Sequence, residues 1–358
     1  MEADSTTYDS NSKTEVTEPA LPFNTCPGNL QLYNELISNN GEQRLECQLV
    51  ERLQGLGLMP TVVRCPTDKP DCNVICKTAR VIDRVQWVCE GCSKRQPIRV
   101  GSFFYRLQCS ILQTLQLILA WCEDADLEVA AAHFGVKPKV ATQIFDKLDG
   151  VAIKEQGRRR LGGENSVVLA EMYPDCVNRL SPDTTDQPHV HRILMLADTN
   201  HIPTSYWLHV IRDDNKKMPN GDPDTQALTS EVESVLQRAV TPGSLVVTGN
   251  TLPAVEAAAN IQQLLIHCDV DMQHFLSTRM WRQALSLCVA ARSVCTGSST
   301  GAGGQAGGQA GGQAGQAGCA AAVQRYLTTA LHRRRHDDGF FSQTLTYIAA
   351  EYTNTIET

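Results

Sequence analysis

Apolar residues recur with helical spacing in the first half of the chain. Between residues 28 and 59, Leu45, Leu49 and Leu53 fall on one side of a helix with 3.6 residues per turn. Residues 105–122 are apolar at most positions, but polar residues interrupt the run, and it is too short to span a bilayer. The pattern predicts a helical N-terminal segment, then a buried helix, and no membrane partner.

Two short helical patterns meet at a glycine within residues 124–150. Ala131 and Gly135 lie four positions apart, and Ile144 follows at the spacing that is usual for a helix-turn-helix. The small alanine lets two helices approach closely, and the glycine permits the turn. We therefore predict a helix-turn-helix whose second helix, about 138–148, reads DNA. An ordinary antiparallel helix pair explains the same pattern equally well.

Beyond residue 165 the pattern changes to short, strongly apolar runs. These runs predict strands at 167–173, 191–198, 205–213 and 244–250. Amphipathic or apolar stretches with helical spacing predict helices at 225–240, 252–267 and 280–294. Three strands followed by alternating helix and strand are typical of a mixed α/β sheet. Two more helices, on either side of a basic turn at His332–His336, are predicted to close the chain.

Two segments lack the apolar positions that a core needs. The first 27 residues are rich in Ser, Thr, Asp and Glu, which predicts a disordered tail. Residues 296–318 repeat Gly-Gln-Ala units without apolar anchors, which predicts a flexible insert with no function of its own.

Charge is distributed unevenly along the 358 residues. The formal net charge of −7 argues against a uniformly basic, nucleic-acid-binding surface. Between Arg64 and Arg106, however, nine Lys and Arg residues accompany four acids, so this segment carries a net charge of +5. It is a basic island on an acidic protein, and such an island suits local contact with a polyanion.

The basic island also contains a cluster of cysteines. Cys89 and Cys92 form a CxxC pair after a strand-like run, and Cys65, Cys72 and Cys76 lie upstream. The polar first 25 residues show no signal peptide, so we expect a reducing compartment, where CxxC favours metal over disulfide. We predict a zinc ribbon with one structural zinc ion, held by the CxxC pair and two of the three upstream cysteines. Alternatively, some of these cysteines are small buried hydrophobic residues.

We expect DNA contacts from basic and polar side chains in three places: the ribbon, the second helix and the link that follows it. Cationic side chains bind phosphates, whereas polar side chains on a reading helix distinguish bases. A solvated charge run is the plain alternative for the basic link. The expected contacts are Lys94, Arg95, Arg99, Lys137, Lys139, Thr142, Gln143, Lys147, Arg158, Arg159 and Arg160.

Several motifs occur in a recognisable order. They are GLMP at 57–60, WVCEGC at 87–92, IRVGSFF at 98–104, LGGENSVV at 161–168 and YLTTALHRRRHDDGFFSQTL at 326–345. With the helix-turn-helix between them, this order resembles the Merlin-type transposases and their bacterial insertion-sequence relatives. The resemblance extends from about residue 28 to the end, apart from the Gly-Gln-Ala insert.

The resemblance implies an RNase H-like nuclease domain with three acids that hold two divalent metal ions. By this resemblance the first acid position falls on Ala170, with Glu171 one residue later, and the second and third fall on Gly249 and Thr278. None of the three positions carries an acid, which implies a lost catalytic centre. Structural roles are expected for the other candidate carboxylates, Asp198, Asp213, Asp269 and Asp271.

These features predict an α+β fold with a helical N-terminal segment, a zinc ribbon, a helix-turn-helix and a degenerate RNase H-like mixed α/β domain. The predicted boundaries are 1–27, 28–63, 64–104, 105–160 and 165–358, with the insert at 296–318. The expected function is that of a host-adopted, transposase-derived nuclear protein that binds DNA or chromatin without cutting it. Transcription or silencing proteins and a second copy of the chain are the expected partners. An active transposase with relocated acids and a protein-interaction module without DNA affinity are the alternatives.

Overall fold

A computed structural model describes the chain in stretches. These are residues 21–41, 43–67, 69, 72–164, 166–173, 192–200, 204–211, 225–249, 252–256, 258–260, 266, 269, 286–287 and 313–353. Over these residues the chain is an α+β protein with a three-stranded and a five-stranded sheet. The predicted tail up to residue 20 lies outside the described residues. Residues 21–27 belong to the same predicted tail, but they are described. Phe23 packs edge-on against Phe134 with ring centroids 6.2 Å apart, so this part of the tail prediction is wrong.

The N-terminal half contains five helices and a small sheet among its described residues. The elements are α1 (Pro27–Ile37), α2 (Leu45–Gly55), β1 (Val74–Thr78), β2 (Val85–Cys89), β3 (Arg95–Pro97), α3 (Ile111–Cys122), α4 (Leu127–His133) and α5 (Pro138–Arg158). The apolar pattern between residues 28 and 59 therefore forms two helices. They are separated by a polar connection in which Gly41 adopts a left-handed φ of 77°.

Helix α3 begins later than its apolar pattern predicted. Ser110 and Gln113 form a capping box, in which each side chain accepts a hydrogen bond from the other residue's backbone N–H. The cap fixes the start of the helix at Ile111, so the residues before it are available for the core. Phe103 and Phe104 in the IRVGSFF motif are fully buried there.

Helices α4 and α5 are joined by a short turn and pack against α3, as both the helix-turn-helix and the ordinary helix pair require. Asp126 caps α4 by accepting a hydrogen bond from the Val129 N–H at 2.9 Å. The turn passes through Gly135, whose φ is 64°, and Ala131 and Ile144 are fully buried between the helices. Helix α5 is about twice as long as predicted, because its later turns continue across the C-terminal helices.

The second half contains the five-stranded sheet. Its strands are β4 (Val167–Tyr173), β5 (Ile193–Asp198), β6 (Ser205–Val210), β7 (Leu245–Thr248) and β8 (Ala259–Asn260), and α6 (Thr225–Ala239) lies between β6 and β7 in the chain. The strand order is β6-β5-β4-β7-β8, with β4, β5 and β6 antiparallel and β4, β7 and β8 parallel. Helix α6 covers one face of the sheet, and α7 (Gln313–His336) covers the other.

Three predictions for this half need correction. The helix predicted at 252–267 is not formed at its start, because Ala259 and Asn260 add an edge strand beside β7. The helical backbone of α7 begins at Gln313, so the last part of the Gly-Gln-Ala segment is not a loop. Residues His332–His336 form the last turn of α7, and the actual turn is at Asp337–Gly339. Most of the helix predicted at 280–294 lies outside the described residues.

The last helix, α8 (Phe340–Thr353), belongs to the hydrophobic core of the N-terminal half. Phe341 is fully buried and contacts Tyr33 edge-on, with ring centroids 6.4 Å apart. The side chain of Asn29 accepts a hydrogen bond from the Phe341 N–H at 2.9 Å. The Gly28 N–H donates to Asp338 at 2.5 Å, and a Cβ at Gly28 would come within 2.7 Å of the Asp338 carbonyl oxygen. Residues about 310 positions apart are therefore directly joined.

A buried polar cluster joins α5, α7 and α8. The Arg159 guanidinium donates to the Tyr347 hydroxyl and lies 3.4 Å from His336 Nε2. His332 Nε2 lies 3.2 Å from the Ala152 carbonyl oxygen, so it serves as the donor. Burial lowers the pKa of His332 to about 3, so this imidazole is neutral at physiological pH. The cluster fixes the C-terminal helices to the end of α5.

Candidate metal centre and nucleic-acid interface

The three-stranded sheet gathers four cysteines at one end. Strands β1 and β2 are antiparallel and pair Val74 with Cys89, so Cys72, two residues before Val74, lies at the same end as Cys89. The Cys89 N–H donates to Lys94 O, and the Ser93 N–H donates back to Cys89 O, each at 2.9 Å. This tight knuckle brings Cys92 back toward Cys89.

The four sulfur atoms have the separations that a tetrahedral metal site requires. The Sγ atoms of Cys65, Cys72, Cys89 and Cys92 all lie within 4.8 Å of one another. The Cys65 and Cys92 Sγ atoms are 3.3 Å apart. Zinc–sulfur bonds of about 2.3 Å in a tetrahedron place the sulfurs roughly 3.8 Å apart. These four cysteines could therefore hold a metal ion such as zinc, with small adjustments of the side chains.

Thr67 lies among these sulfurs and was not identified from the sequence. Its Oγ1 is 3.0 Å from Cys65 Sγ, 3.4 Å from Cys72 Sγ and 3.2 Å from Cys92 Sγ. Hydrogen bonding to this hydroxyl lowers the pKa of the Cys65 thiol to about 6 and also lowers the pKa of Cys92. Thiolates are the ligands that zinc prefers, so the hydroxyl favours the metal-binding form of these two cysteines. The pKa of Cys89 is instead raised, to about 11, with burial among the causes. Its position two residues after a ligand cysteine is the signal that could have revealed it.

Cys76 is not part of this cluster. The register of the sheet pairs it with Trp87, two positions along the strand from the cysteine knuckle, and its side chain is exposed. Of the three upstream candidates, the structure therefore brings Cys65 and Cys72 to the CxxC pair. Four cysteine ligands would leave a tetrahedral ion no open coordination position, which suits a structural rather than a catalytic metal.

The first two turns of α5 form an exposed polar surface. Lys137, Lys139, Thr142 and Gln143 are all exposed there, as the prediction of a reading helix requires. The Thr142 hydroxyl donates to the Pro138 carbonyl at 3.0 Å, which leaves its lone pairs toward solvent. At the far end of this surface, Asp146 forms an ion pair with Arg325 at 3.5 Å. This surface is the candidate DNA-reading surface.

Two of the predicted DNA contacts are used inside the fold. Arg99 is buried, donates to both carboxylate oxygens of Asp83 at 2.5 and 2.7 Å, and also donates to the carbonyls of Leu107 and Cys109. Lys147 donates to the Phe103 carbonyl at 2.6 Å, and burial lowers its pKa. Both side chains hold the core together, so they are removed from the set of DNA contacts.

The basic link after α5 is also engaged within the protein. Arg158 pairs with Glu351 at 3.3 Å, and Arg159 belongs to the buried polar cluster. Arg160 donates to the carbonyls of Gln237 and Val240 at the end of α6. Arg160 thus attaches the link to α6, and Arg158 and Arg159 attach it to the C-terminal helices. Arg158 and Arg160 remain exposed, so the phosphate clamp stays a prediction. Lys94 and Arg95, in contrast, are exposed in the ribbon.

The LGG motif connects the two halves of the chain. The Gly162 N–H donates to Asp198 Oδ2 at 2.7 Å, and Asp198 also accepts from the Asn200 N–H. A Cβ at Gly162 would lie 2.2 Å from Ser244 Oγ, and its φ of 81° also favours glycine. Asp198 is fully buried, so its role here is structural, as expected.

Two of the candidate acid positions and their neighbour Glu171 lie on the described part of the sheet. The Ala170 side chain packs under α6, whereas Glu171 points to the opposite face. A Cβ at Gly249 would lie 1.7 Å from Glu171 Oε2, so the Glu171 carboxylate covers this glycine. Glu171 therefore shares a face with Gly249, and Ala170 lies on the other face. Thr278, Asp213 and Asp271 lie outside the described residues, and Asp269 is exposed.

Comparisons with family models, curated proteins and solved structures find no match. Among the described helices, none combines the length and the apolar character that crossing a membrane requires.

Proposed function

We propose that this chain is a transposase-derived nuclear protein that binds DNA or chromatin, does not cut DNA, and acts in transcription or silencing through protein partners. The observation that carries the proposal is the surface on α5. Lys137, Lys139, Thr142 and Gln143 are exposed at the N-terminal end of the second helix of a helix-turn-helix, while the later turns are packed inside the fold. A reading helix contacts bases with its N-terminal residues.

The arrangement of the five-stranded sheet supports the proposed ancestry. Three antiparallel strands followed by two strands parallel to the first, with helices on both faces, are what the resemblance to Merlin-type transposases implies for an RNase H-like domain. The four-cysteine cluster supports a zinc ribbon in front of the helix-turn-helix. In this proposal the sheet serves as a scaffold for a homodimer or for transcription and silencing proteins.

The proposed loss of cleavage rests on the pair Glu171 and Gly249. Two-metal catalysis needs carboxylates that share two ions about 4 Å apart, and magnesium depends on anionic oxygen ligands. Gly249 offers no side-chain ligand, and the Glu171 carboxylate fills the space above it. We expect no nicking when the protein is incubated with magnesium or manganese and DNA that carries terminal repeats of related elements. Metal-dependent nicking that disappears in Glu171→Gln would instead establish an active transposase with relocated acids.

DNA binding is tested by substitutions on the α5 surface of the full chain. Gln143→Ala should change the preferred sequence in a selection from random duplexes, because it removes a group that reads bases. Lys139→Gln should weaken binding to all sequences and reduce the slope of log affinity against log salt by about 1. Arg238→Gln, an exposed change on α6, is the matched control and should alter neither property.

A protein-interaction module without DNA affinity is the second candidate function. It is favoured by the net charge of −7, by the burial of Arg99, and by the hydrogen bonds that Arg159 and Arg160 already make within the protein. If the full chain shows no salt-dependent affinity for any duplex in the selection, this second function replaces the first.

A further inference from the structure

The loop between β1 and β2 presents two aliphatic side chains to solvent between two arginines. Val81 is 41% exposed and Ile82 is 64% exposed. Arg80 and Arg84 flank them; Arg80 is exposed and Arg84 is half-buried, and within the described residues neither guanidinium has an ion pair or a hydrogen bond. This loop, residues 79–84, is called the hairpin tip below. The hairpin tip therefore combines exposed apolar side chains with positive charge that no ion pair offsets within the described residues.

The hairpin tip is held in a fixed shape. The Ala79 N–H donates to Arg84 O at 2.7 Å, and the Arg84 N–H donates to Val81 O at 3.0 Å. Arg84 adopts a left-handed φ of 60°, which costs a non-glycine residue conformational energy. Asp83 secures this conformation through its buried pair with Arg99. Because Asp83 points inward and is buried, the neighbouring Ile82 points outward.

The hairpin tip and the reading helix flank the same end of α3. Arg99, which holds Asp83, donates to the Cys109 carbonyl at 2.8 Å, directly before the Ser110 cap of α3. In the first turn of α3, Gln113 donates to the Phe134 carbonyl at 2.9 Å, in the turn that leads into α5. A short series of contacts thus connects the hairpin tip to the N-terminal end of α5.

We propose that the hairpin tip enters the minor groove of double-stranded DNA beside the major groove occupied by α5. Ile82 inserts between two base pairs and kinks the duplex, and Arg80 and Arg84 bind the groove edges or phosphates. Aliphatic wedges flanked by cationic side chains are the means by which minor-groove proteins bend DNA. The positive charge at the tip matches a polyanion, and the fixed loop loses little entropy on insertion. The proposal rests on the DNA binding proposed above and specifies its second contact.

The test uses the full, zinc-containing chain and a duplex recovered with it from a random-sequence library. Ile82→Ser should weaken binding at least about tenfold, because a buried isoleucine side chain is lost from the complex. It should also remove a bend of some tens of degrees, measured by energy transfer between dyes at the duplex ends. Arg80→Gln should weaken binding and flatten its salt dependence. Val62→Ser changes an aliphatic residue that is 73% exposed outside the hairpin, and it should leave binding and bend unchanged.

The outcomes separate this inference from the proposed function. If Ile82→Ser binds and bends the duplex as the unchanged chain does, the minor-groove contact is wrong and DNA binding by α5 stands. Weaker binding with an unchanged bend also overturns insertion between base pairs. If no duplex is recovered from the library, both proposals fall. If the hairpin changes alter binding to vesicles of anionic lipid and not to DNA, the occupant is a membrane surface and the DNA wedge is wrong.

Discussion

Cys72→Ser protein is expected to lose its zinc and unfold the ribbon, whereas Cys76→Ser protein keeps both. Zinc contributes on the order of 10 kcal/mol to a small domain that is folded around it. Of these two cysteines, only Cys72 contributes one of the four sulfurs that lie within 4.8 Å of one another. Elemental analysis should give one zinc per chain for the unchanged protein and for Cys76→Ser, and none for Cys72→Ser. Thermal unfolding should show a large loss of stability in Cys72→Ser alone.

The two cysteine variants form a matched pair, because Cys76 lies within β1 and Cys72 two residues before it, and they differ in their place along the hairpin relative to Cys89. Equal zinc content in the two would mean that the ligand set is wrong. A purified chain without zinc, or one as stable after chelation as before, would remove the metal centre from this protein altogether.

Asp83→Ala is expected to destabilise the protein by roughly 3–5 kcal/mol, because it leaves the buried Arg99 guanidinium without its counter-charge. The pair is buried on both sides, with side-chain exposures of 6% for Arg99 and 9% for Asp83. Arg99 would keep its hydrogen bonds to two backbone carbonyls, and these do not neutralise its charge. Chemical denaturation of the full chain measures the change in free energy of unfolding.

An exposed ion pair in the same sheet supplies the control. Lys77 and Glu90 lie 3.6 Å apart with about half of each side chain exposed. Lys77→Ala should therefore change stability by less than about 1 kcal/mol. The double variant Asp83→Leu and Arg99→Met should recover much of the loss, since it removes both charges. If Asp83→Ala were no more destabilising than Lys77→Ala, the pair would not be holding the hairpin to the core.

The sequence predicted those elements whose formation depends on residues that are close together in the chain. The strands of the large sheet follow their apolar runs, with β4 and β5 within one or two residues of the predicted bounds. The spacing of Ala131, Gly135 and Ile144 predicted a helix-turn-helix. The prediction was possible because each requirement depends on a single residue: a small side chain at Ala131, a positive φ at Gly135 and an apolar contact at Ile144. Cys89 and Cys92 were recognisable for the same reason.

The errors concern contacts between distant parts of the chain. The sequence marks Arg99 as a cation, but only the fold brings Asp83 and two carbonyls to it. Cys72 and Cys76 are equivalent by spacing, and the pairing of β1 with β2 decides between them. The side of the sheet that Glu171 faces depends on the register of β4 with β7. The helical pattern at 252–267 fails at Ala259 and Asn260, because these two residues pair with the edge of β7.

The contacts of α8 with α1 have a consequence for the order of events during synthesis. The core around α4 and α5 includes Phe341 and Ile348, which are translated long after both helices. Until then, the cysteine cluster and α5 have been made, but the apolar faces of α1 and α3 lack their cover. A nascent or truncated chain therefore cannot complete this core, although it already contains every residue of the α5 surface. If that surface binds DNA as proposed, only a chain translated through α8 would do so, and premature termination would yield an inactive product rather than a competing fragment.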